Sequence, residues 1–436
     1  MQVARRKASG TAHTRNDPRV TAFVKWCRRV GIRLHPKIRI GREGSCAEIG
    51  VVATEEIREG EMVACIPRSA LLTCSNSTAV RRRLMRDDIT AERLDNMSSW
   101  VPLLLAMLAE HGLESSSKWY PYLQLVPNYG SAGPPMLWSE SQRDTLLSGT
   151  SVLQSVHTDA ENIARDYAAI VLPFMQRHTD LFQPHLQSLD LYKQMVAVVM
   201  SYSFSDGANP DILQRTVMVP FVDLLNHHSH HHVELSFRED RLELMAIRTI
   251  KKGEEVMNTY GPLSNACLLH KYGFSELKNP HDMAYIAHSN LRDAVAGSPT
   301  VQTRWRQLEN EGLVDVALMY CVNSVGAPDR KMVLTLKMLH GGKLRYACLR
   351  RRLIKELNRD DDDDEEENDA RDRKTDEVST LSTIETCFLK RVVLRALEEL
   401  PTCCEYPQWT CDRERFASYL CSGQYICLKA LLDKLG

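Results

Sequence analysis

Val217-Met-Val-Pro-Phe-Val-Asp223-Leu-Leu-Asn226-His227 opens a stretch that runs through Asn258-Thr259-Tyr260-Gly261 and closes at Lys271-Tyr272-Gly273-Phe274. Its middle has plain local logic. Val233, Leu235 and Phe237 alternate with polar residues, as do Leu242, Leu244 and Ala246, with Glu239-Asp240 between the two runs. Period-two patterning on both sides of a polar turn predicts a hairpin with one buried face. Asn226 and His227 precede it, and Tyr260 follows the turn Lys251-Lys252-Gly253-Glu254. Polar groups therefore gather at the ends of short strands, where a scaffold commonly carries a site.

Working outward, Phe23, Val24, Cys27 and Val30 share one face of a short helix over 20–31, which Gly31 ends as a left-handed cap. Short β-like pieces follow at Ile38 to Ile40, Ile49 to Ala53 and Glu61 to Ile66, and Pro67 stops the last. Ala53, Ile57, Gly60, Glu61 and Val63 recur as Ala246, Ile250, Gly253, Glu254 and Val256, at a constant offset of 193. A common turn formula, with Gly at positive φ, explains this more simply than a true repeat. It still predicts that the two pieces are built alike within one small β fold.

From about 78 to 204 the period is helical. Ser99 is placed to cap a helix with Pro102 in its first turn and Gly112 past its end. Longer helices are predicted over 153–178 and 186–204, with a Pro-, Gly- and Trp-containing loop from Pro121 to Trp138. This insert separates the β pieces, which must meet across it or leave bare sheet edges. After 285 the β signal fades, and 300–357, 380–400 and 412–434 are helical in character. The eight acids from Asp360 to Glu367 repel one another and read as a solvated connector. The expected organisation is a basic tail (1–19), the first part of a β core (20–77), a helical insert (78–200), the second part of the core (201–285), and a helical C-terminal domain (286–436) with an acidic loop over 360–369. The fold class is α+β.

The order Asn226-His227, then β-rich filler, then Asn258-Thr259-Tyr260-Gly261 resembles the signature pair of the SET-domain protein-lysine N-methyltransferases. The resemblance takes in Trp26-Cys27-Arg28-Arg29-Val30-Gly31, Trp100-Val101-Pro102-Leu103-Leu104-Leu105 and Ile170-Val171-Leu172-Pro173-Phe174-Met175. It implies a split, knotted SET core from 32–75 and 201–275, with the insert and the helical C-terminal substrate-binding domain beside a peptide groove. It implies S-adenosyl-L-methionine as cofactor and nuclear protein substrates, non-histone in the main, including the RelA subunit of NF-κB and a histone variant. It also implies monomethylation.

Methyl transfer from a sulfonium to an amine is an in-line displacement. The amine must arrive neutral, because a lysine ammonium, with a pKa of about 10.4, has no lone pair. A nearby cation and a low-dielectric channel both push that pKa down. Positioning then does most of the work. A tyrosine at a strand end is ordinarily a packing residue, but the Asn-x-Tyr-Gly context makes Tyr260 the expected catalytic group, with its phenol hydrogen-bonded to the amine. The resemblance assigns Asn226 and His227 to the cofactor, although an Asx turn accounts for Asn226 locally. The family's Gly-x-Gly turn is replaced by Ala47-Glu48-Ile49-Gly50, so backbone contacts from Ala47 to Ile49 and the Glu48 carboxylate are the expected substitutes. Tyr272 matches an aromatic stacked on adenine. Tyr202, Trp100 and Asp223 match positions near the cofactor and the substrate lysine.

The remaining features narrow the class. A formal net charge of -1 over 436 residues gives no global attraction to nucleic acid, and no stretch approaches about 20 apolar residues, so no membrane span is expected. Arg5-Arg6-Lys7 reads as a solvated tail more readily than as a nuclear address. Thirteen cysteines without a signal-like N-terminus read as reduced thiols, and Cys403-Cys404, Cys411, Cys421 and Cys427 lack the paired spacing of a zinc site. His227, His228, His230, His231 and His232 are too close in sequence to converge on a metal, so no metal is expected. Oligomeric state is open. The resemblance leaves two other functions open: a histidine N-methyltransferase, whose channel needs an amide or acid partner for imidazole, and a catalytically dead SET-fold binding module, favoured by Glu48 and opposed by Asn226, His227 and Tyr260.

Overall fold

The structure, a computed structural model, describes residues 17–41, 44–77, 100–127, 132–207, 215–295, 298–314, 319–358, 380–401 and 409–436. Helix α1 (Pro18–Arg29) begins at Asp17, whose carboxylate accepts the Arg19 N–H. Gly31, at φ 85°, closes it: its N–H reaches Arg28 O while the Ile32 N–H reaches Cys27 O, the paired bonds of a Schellman cap.

Strands β1 (Arg33–Leu34), β2 (Ile38–Gly41), β3 (Gly50–Ala53) and β4 (Met62–Pro67) follow. Beyond the insert come β5 (Ser203–Ser205), β6 (Thr216–Met218), β7 (Val233–Phe237) and β8 (Arg241–Ala246). The expected hairpin is β7–β8, with Val233 opposite Ala246 and Phe237 opposite Leu242. β8 also pairs antiparallel with β4, giving the sheet order β1-β4-β8-β7. A strand from each side of the insert thus shares one ladder, and the α+β class holds.

The offset-193 echo has a physical basis beyond a shared turn: the two copies dock on each other. Ile57 and Ile250, equivalent in the two copies, exchange N–H···O bonds of 3.0 and 2.8 Å. Ala53 N–H donates to Glu254 O at 2.9 Å, and its equivalent Ala246 donates to Glu61 O at 2.9 Å. Gly253 N–H donates to Ala53 O at 2.7 Å, and Gly60 N–H to Ala246 O at 2.8 Å. Each bond has its mirror, so the copies meet about a local pseudo-twofold axis between the two isoleucines. Gly60 and Gly253 stand at φ 81° and 84°, where a side chain would strain the backbone.

The insert supplies α2 (Val101–Gly112), α3 (Tyr120–Leu123), α4 (Glu140–Leu147), α5 (Ser151–Asp166), α6 (Leu172–Arg177) and α7 (Leu189–Tyr202). The single helix expected over 153–178 is divided by a π-turn, Tyr167–Val171. Pro173 has no N–H to return to the preceding turn, and the wider turn absorbs the lost bond. Ser99 lies outside the described residues. Within the expected loop from Pro121 to Trp138, α3 forms one helical turn.

By internal contacts the chain divides into two units, Met1–Leu137 with Thr158–Pro262, and Trp138–His157 with Leu263–Gly436. The second contains α8 (Asn265–Tyr272), β9 (Met283–Ala287), α9 (His288–Val295), α10 (Pro299–Asn310), β10 (Met319–Asn323), α11 (Arg330–His340), α12 (Lys343–Leu357), α13 (Thr383–Glu399) and α14 (Asp412–Leu435). Residues 263–285, expected in the β core, group here. Asn265 and Asp282 bind each other through side chain and backbone, and β9 pairs with β10. Residues 138–157, expected with the insert, do likewise: the Arg413 guanidinium lies over the Trp138 ring. Strand β10 falls in a region read as helical. Its alternation, with Tyr320 and Val322 buried, spans only five residues and is lost between longer helical periods. Each unit has its own core, one around Trp26, Ile57 and Leu244, the other around Tyr320, Leu336 and Leu428. The acidic run 360–367, Arg5-Arg6-Lys7 and Cys403-Cys404 lie outside the described residues.

Ile57 and Ile250 are both fully buried. Truncating either to Ala is expected to cost about 2–5 kcal/mol. Because they face each other across the axis, Ile57→Ala with Ile250→Ala should depart from additivity by at least about 0.5 kcal/mol in denaturant titrations. Additive losses would show that the two copies do not depend on each other.

Candidate active site

The segment Glu255–Asn258 lies between two earlier pieces of chain. On one side Val256 N–H donates to Val51 O at 2.7 Å and Val52 bridges Glu255. On the other, Asn258 N–H donates to Asn226 O at 2.9 Å, and His228 N–H to Asn258 O at 3.1 Å. This parallel bridge is the knotted contact that brings the distant signature halves together.

Asn226 is buried and its amide is spent on the protein. Oδ1 accepts the Ala47 N–H at 3.2 Å. Nδ2 donates to Ile49 O at 3.2 Å and to Glu255 Oε1 at 2.6 Å. Glu255 in turn accepts the Ser45 N–H at 3.1 Å. Asn226 therefore clamps the turn 44–49 against the strand that ends in Tyr260. Glycines flank the clamp for want of space. A Cβ on Gly50 would sit 2.4 Å from Glu255 Oε1, and one on Gly44 would sit 2.7 Å from Asn226 Nδ2. The close approach usually given by Gly-x-Gly is thus carried by Gly44 and Gly50, and Glu48 stands exposed between them.

His227 Nδ1 accepts the Tyr260 N–H at 3.0 Å, and the two rings lie 5.2 Å apart. In a parallel bridge the central residue turns its own N–H and C=O away from its partner. Those of His227 thus face away from Asn258, on the side where Cys46 Sγ lies 3.7 Å from its carbonyl. Tyr260 is half-buried, and its hydroxyl donates to Leu225 O at 3.0 Å. With its proton committed to a carbonyl, the phenol oxygen presents lone pairs rather than a donor.

Asp223 is buried and accepts a short hydrogen bond from the Tyr122 hydroxyl, while its Oδ1 has no partner among the described residues. Burial drives the Asp223 pKa well above the usual carboxylate range, outweighing the Tyr122 bond. Burial, then the Asp223 charge, raises Tyr122 as well. Nearby Cys27 is pushed up to about 12, by burial first. Phe221, two residues before Asp223, holds φ 84° with its ring fully buried. That strain persists because packing on both sides over-determines the turn. Tyr202 ends α7, buried and close enough to Tyr122 for their charges to interact. Trp100 lines a cavity of about 710 Å³ with Phe204, Asp159 and Asp166.

The structure therefore brings Ala47, Ile49, Asn226, His227 and Tyr260 into one constellation. Asp223, Tyr122 and Tyr202 form a neighbouring buried group. Tyr272 sits on α8 of the second unit beside Phe274, its phenol raised to about 12 by burial. Among the described residues no three His, Cys, Asp or Glu side chains are arranged to hold a metal. His232 Nδ1 accepts the Met257 N–H, and the His230 N–H donates to His228 Nδ1. No described helix is long and apolar enough to cross a membrane, and no disulfide joins the described cysteines to one another. Sequence reasoning missed Glu255, Tyr122 and the Leu225 carbonyl. Glu255 directly follows the turn read as Lys251-Lys252-Gly253-Glu254 and carries no motif of its own, and nothing in the Pro121-Tyr122 context marks a partner for Asp223.

A family profile for the SET domain matches residues 48–261. N-lysine methyltransferase SETD6 of Bos taurus is 40% identical over 312 residues, covering 69% of this chain and 67% of that protein. The chain belongs to the SET-domain lysine methyltransferases. The Mus musculus SETD6 is 43% identical over 285 residues, 63% of this chain and 58% of that protein, so the match spans between half and about two thirds of these relatives' lengths. Among solved structures, the SET domain of LSMT bound to lysine and AdoHcy shares the fold with a TM-score of 0.64 at 17% identity, over 96% of this chain and 91% of that one. Within this SET family member, the knotted contact and the Asn226 clamp are the local devices that build the shared fold.

The Asp223 acid gives a signed pH prediction. A carboxyl whose native pKa lies above its unfolded value, near about 4, gives full stability below that pH and loses it as pH rises. Asp223→Asn keeps an acceptor for Tyr122 and removes the titration. The stability of the variant relative to the native protein should rise from pH 4 to pH 7, at up to about 1.4 kcal/mol per unit. A pH-independent difference in denaturant midpoints would show that Asp223 is already ionised.

Proposed function

We propose that this protein is a protein-lysine N-methyltransferase that takes the methyl of S-adenosyl-L-methionine, with Tyr260 as the catalytic residue and the 44–49 and 225–228 turns as the cofactor cradle. The observation that carries this reading is the convergence of Tyr260 with the Asn226-His227 turn. The donor set suits a cofactor with an ammonium, a carboxylate and a purine. Glu48 offers an exposed carboxylate for the ammonium. The N–H and C=O of His227 turn away from Asn258, and the Cys46 thiol reaches that carbonyl, so this backbone edge borders the cradle beside the 44–49 turn. When bound, S-adenosyl-L-methionine supplies an electrophilic methyl on a sulfonium.

The protein's own residues supply the rest. The Tyr260 oxygen, its proton given to Leu225 O, accepts an N–H from the incoming lysine amine and aims the nitrogen lone pair along the channel. Because an acceptor favours nitrogen that still carries protons, this contact orients the neutral amine without removing its last protons. The Ala47 N–H and Ile49 C=O are committed to Asn226, so Asn226 holds the cradle in shape and contributes to binding through that shape. Nuclear residence, non-histone and histone-variant substrates, RelA among them, and monomethylation belong to this proposal on family likeness alone. Lysine is preferred over histidine as acceptor because the relatives at about 40% identity carry the name N-lysine methyltransferase.

The test is incubation of the purified full chain with S-adenosyl-L-methionine and nuclear protein extract, followed by peptide mass spectrometry. Methyl-lysine above a no-enzyme control is expected, and methyl-histidine alone would reassign the acceptor. No methylation together with no calorimetric binding of S-adenosylhomocysteine would leave a folded but inert module. Tyr260→Phe should lower kcat by about 10²-fold or more, as loss of an oriented polar group does, while S-adenosylhomocysteine affinity stays within about threefold, below the loss of a full hydrogen bond. Asn226→Ala should do the reverse, weakening cofactor affinity first, because the cradle loses three contacts.

A further inference from the structure

The charge along the chain is far from even. The first 42 residues hold twelve Lys or Arg and a single acid, Asp17, although the whole chain has a formal net charge of -1. Asp17 is already paired with Arg19 at 2.8 Å. Within it, Arg33, His35, Lys37 and Arg39 alternate in sequence with Leu34, Pro36, Ile38 and Ile40.

Helix α1 and strands β1–β2 enclose a groove of about 740 Å³. Lys25, Arg28, Arg33, Arg39 and His35 line it, and no described Asp or Glu does. The Lys25 and Arg28 side chains are exposed and enter no hydrogen bond or ion pair among the described residues. His35 is answered from outside the lining by Glu61, at 3.3 Å. Val20, Val24, Leu34 and Ile38, all half-buried, give the groove aliphatic walls. Among the described residues both strands are sheet edges, since β1 pairs only with β4 and β2 only with β3. An edge strand carries a row of backbone groups that an extended segment is able to pair with.

We propose that this groove docks an acidic, aliphatic segment of a partner protein. The exposed Lys25 and Arg28 call for carboxylates, and complementary charge sets partner choice and encounter rate more than raw affinity. The aliphatic walls call for apolar side chains between those carboxylates. A nucleic acid fits less well. Its backbone offers nothing aliphatic to bury, and the groove has no Phe, Tyr or Trp on which bases stack. The inference goes beyond methyl transfer. The groove shares no residue with the Asn226, His227 and Tyr260 constellation, so it is able to bring a protein to the enzyme through a segment remote from its target lysine.

The test uses the full chain and a fluorescein-labelled peptide alternating Glu with Leu and Val, read by anisotropy. The acidic peptide should bind, and raising NaCl from about 50 to about 500 mM should weaken it about tenfold or more, as screening of exposed charge does. Lys25→Glu with Arg28→Glu should weaken it by about tenfold or more. The far-UV circular dichroism and S-adenosylhomocysteine binding of the variant should stay unchanged, which separates loss of the groove from loss of the fold or of the cofactor site. Absence of binding by the native chain overturns the proposal. So does equal binding of a Lys-for-Glu peptide, equal affinity in the double variant, or tighter binding of duplex DNA than of the acidic peptide.

Discussion

Four residues, Glu255 to Asn258, hold the first unit together by pairing with two pieces of chain at once. Val51 takes one edge and the Asn226-His228 turn the other. Short strands with few ladder bonds are weak alone, and this insertion gives each a second partner. It also explains why the signature halves stand so far apart in sequence. The helical insert is free to be long because the β pieces are closed by non-local hydrogen bonds, with Asn226 locking the result through Ala47, Ile49 and Glu255.

The same constraint positions the chemistry. Tyr260 leaves the inserted segment with its N–H on His227 and its hydroxyl on Leu225, so ring direction and proton position are both set by backbone of the turn it faces. Three residues before Asn226, Asp223 is a buried carboxyl bonded to Tyr122, and burial raises the pKa of both. A buried, half-satisfied acid detracts from stability at neutral pH. With Phe221 at φ 84° two residues away, unfavourable terms concentrate in the turn that carries the site, as functional turns often do.

Much of this was legible in sequence because it is local. The β7–β8 hairpin, the Gly31 cap and the separation of the β pieces by helices follow from periodicity and turn residues. The offset of 193 signalled similar construction but not docking, since symmetry between two hairpin-like turns shows only when Ile57 meets Ile250. The position of Asn226 was legible in the sequence, and its protein contacts were not. Its bonds to Ala47, Ile49 and Glu255 join residues far apart in the chain, which no local pattern announces. Glu255, Tyr122 and strand β10 went unread because their meaning is wholly tertiary: a carboxylate filling the space beside Gly50, a phenol 101 residues from its acid, and a short strand defined by its partner β9.

The account has one centre, a phenol oxygen and a backbone cradle brought face to face by the knotted contact. The most direct measurement is a crystal structure of the full chain with S-adenosyl-L-methionine and a lysine-containing peptide. The cofactor is predicted to span Glu48 and His227, with its methyl carbon about 3–3.5 Å from the lysine nitrogen, the spacing of a near-attack geometry, and with that nitrogen hydrogen-bonded to Tyr260 Oη. A cofactor seated elsewhere, or a lysine that reaches the methyl without approaching Tyr260, would contradict it.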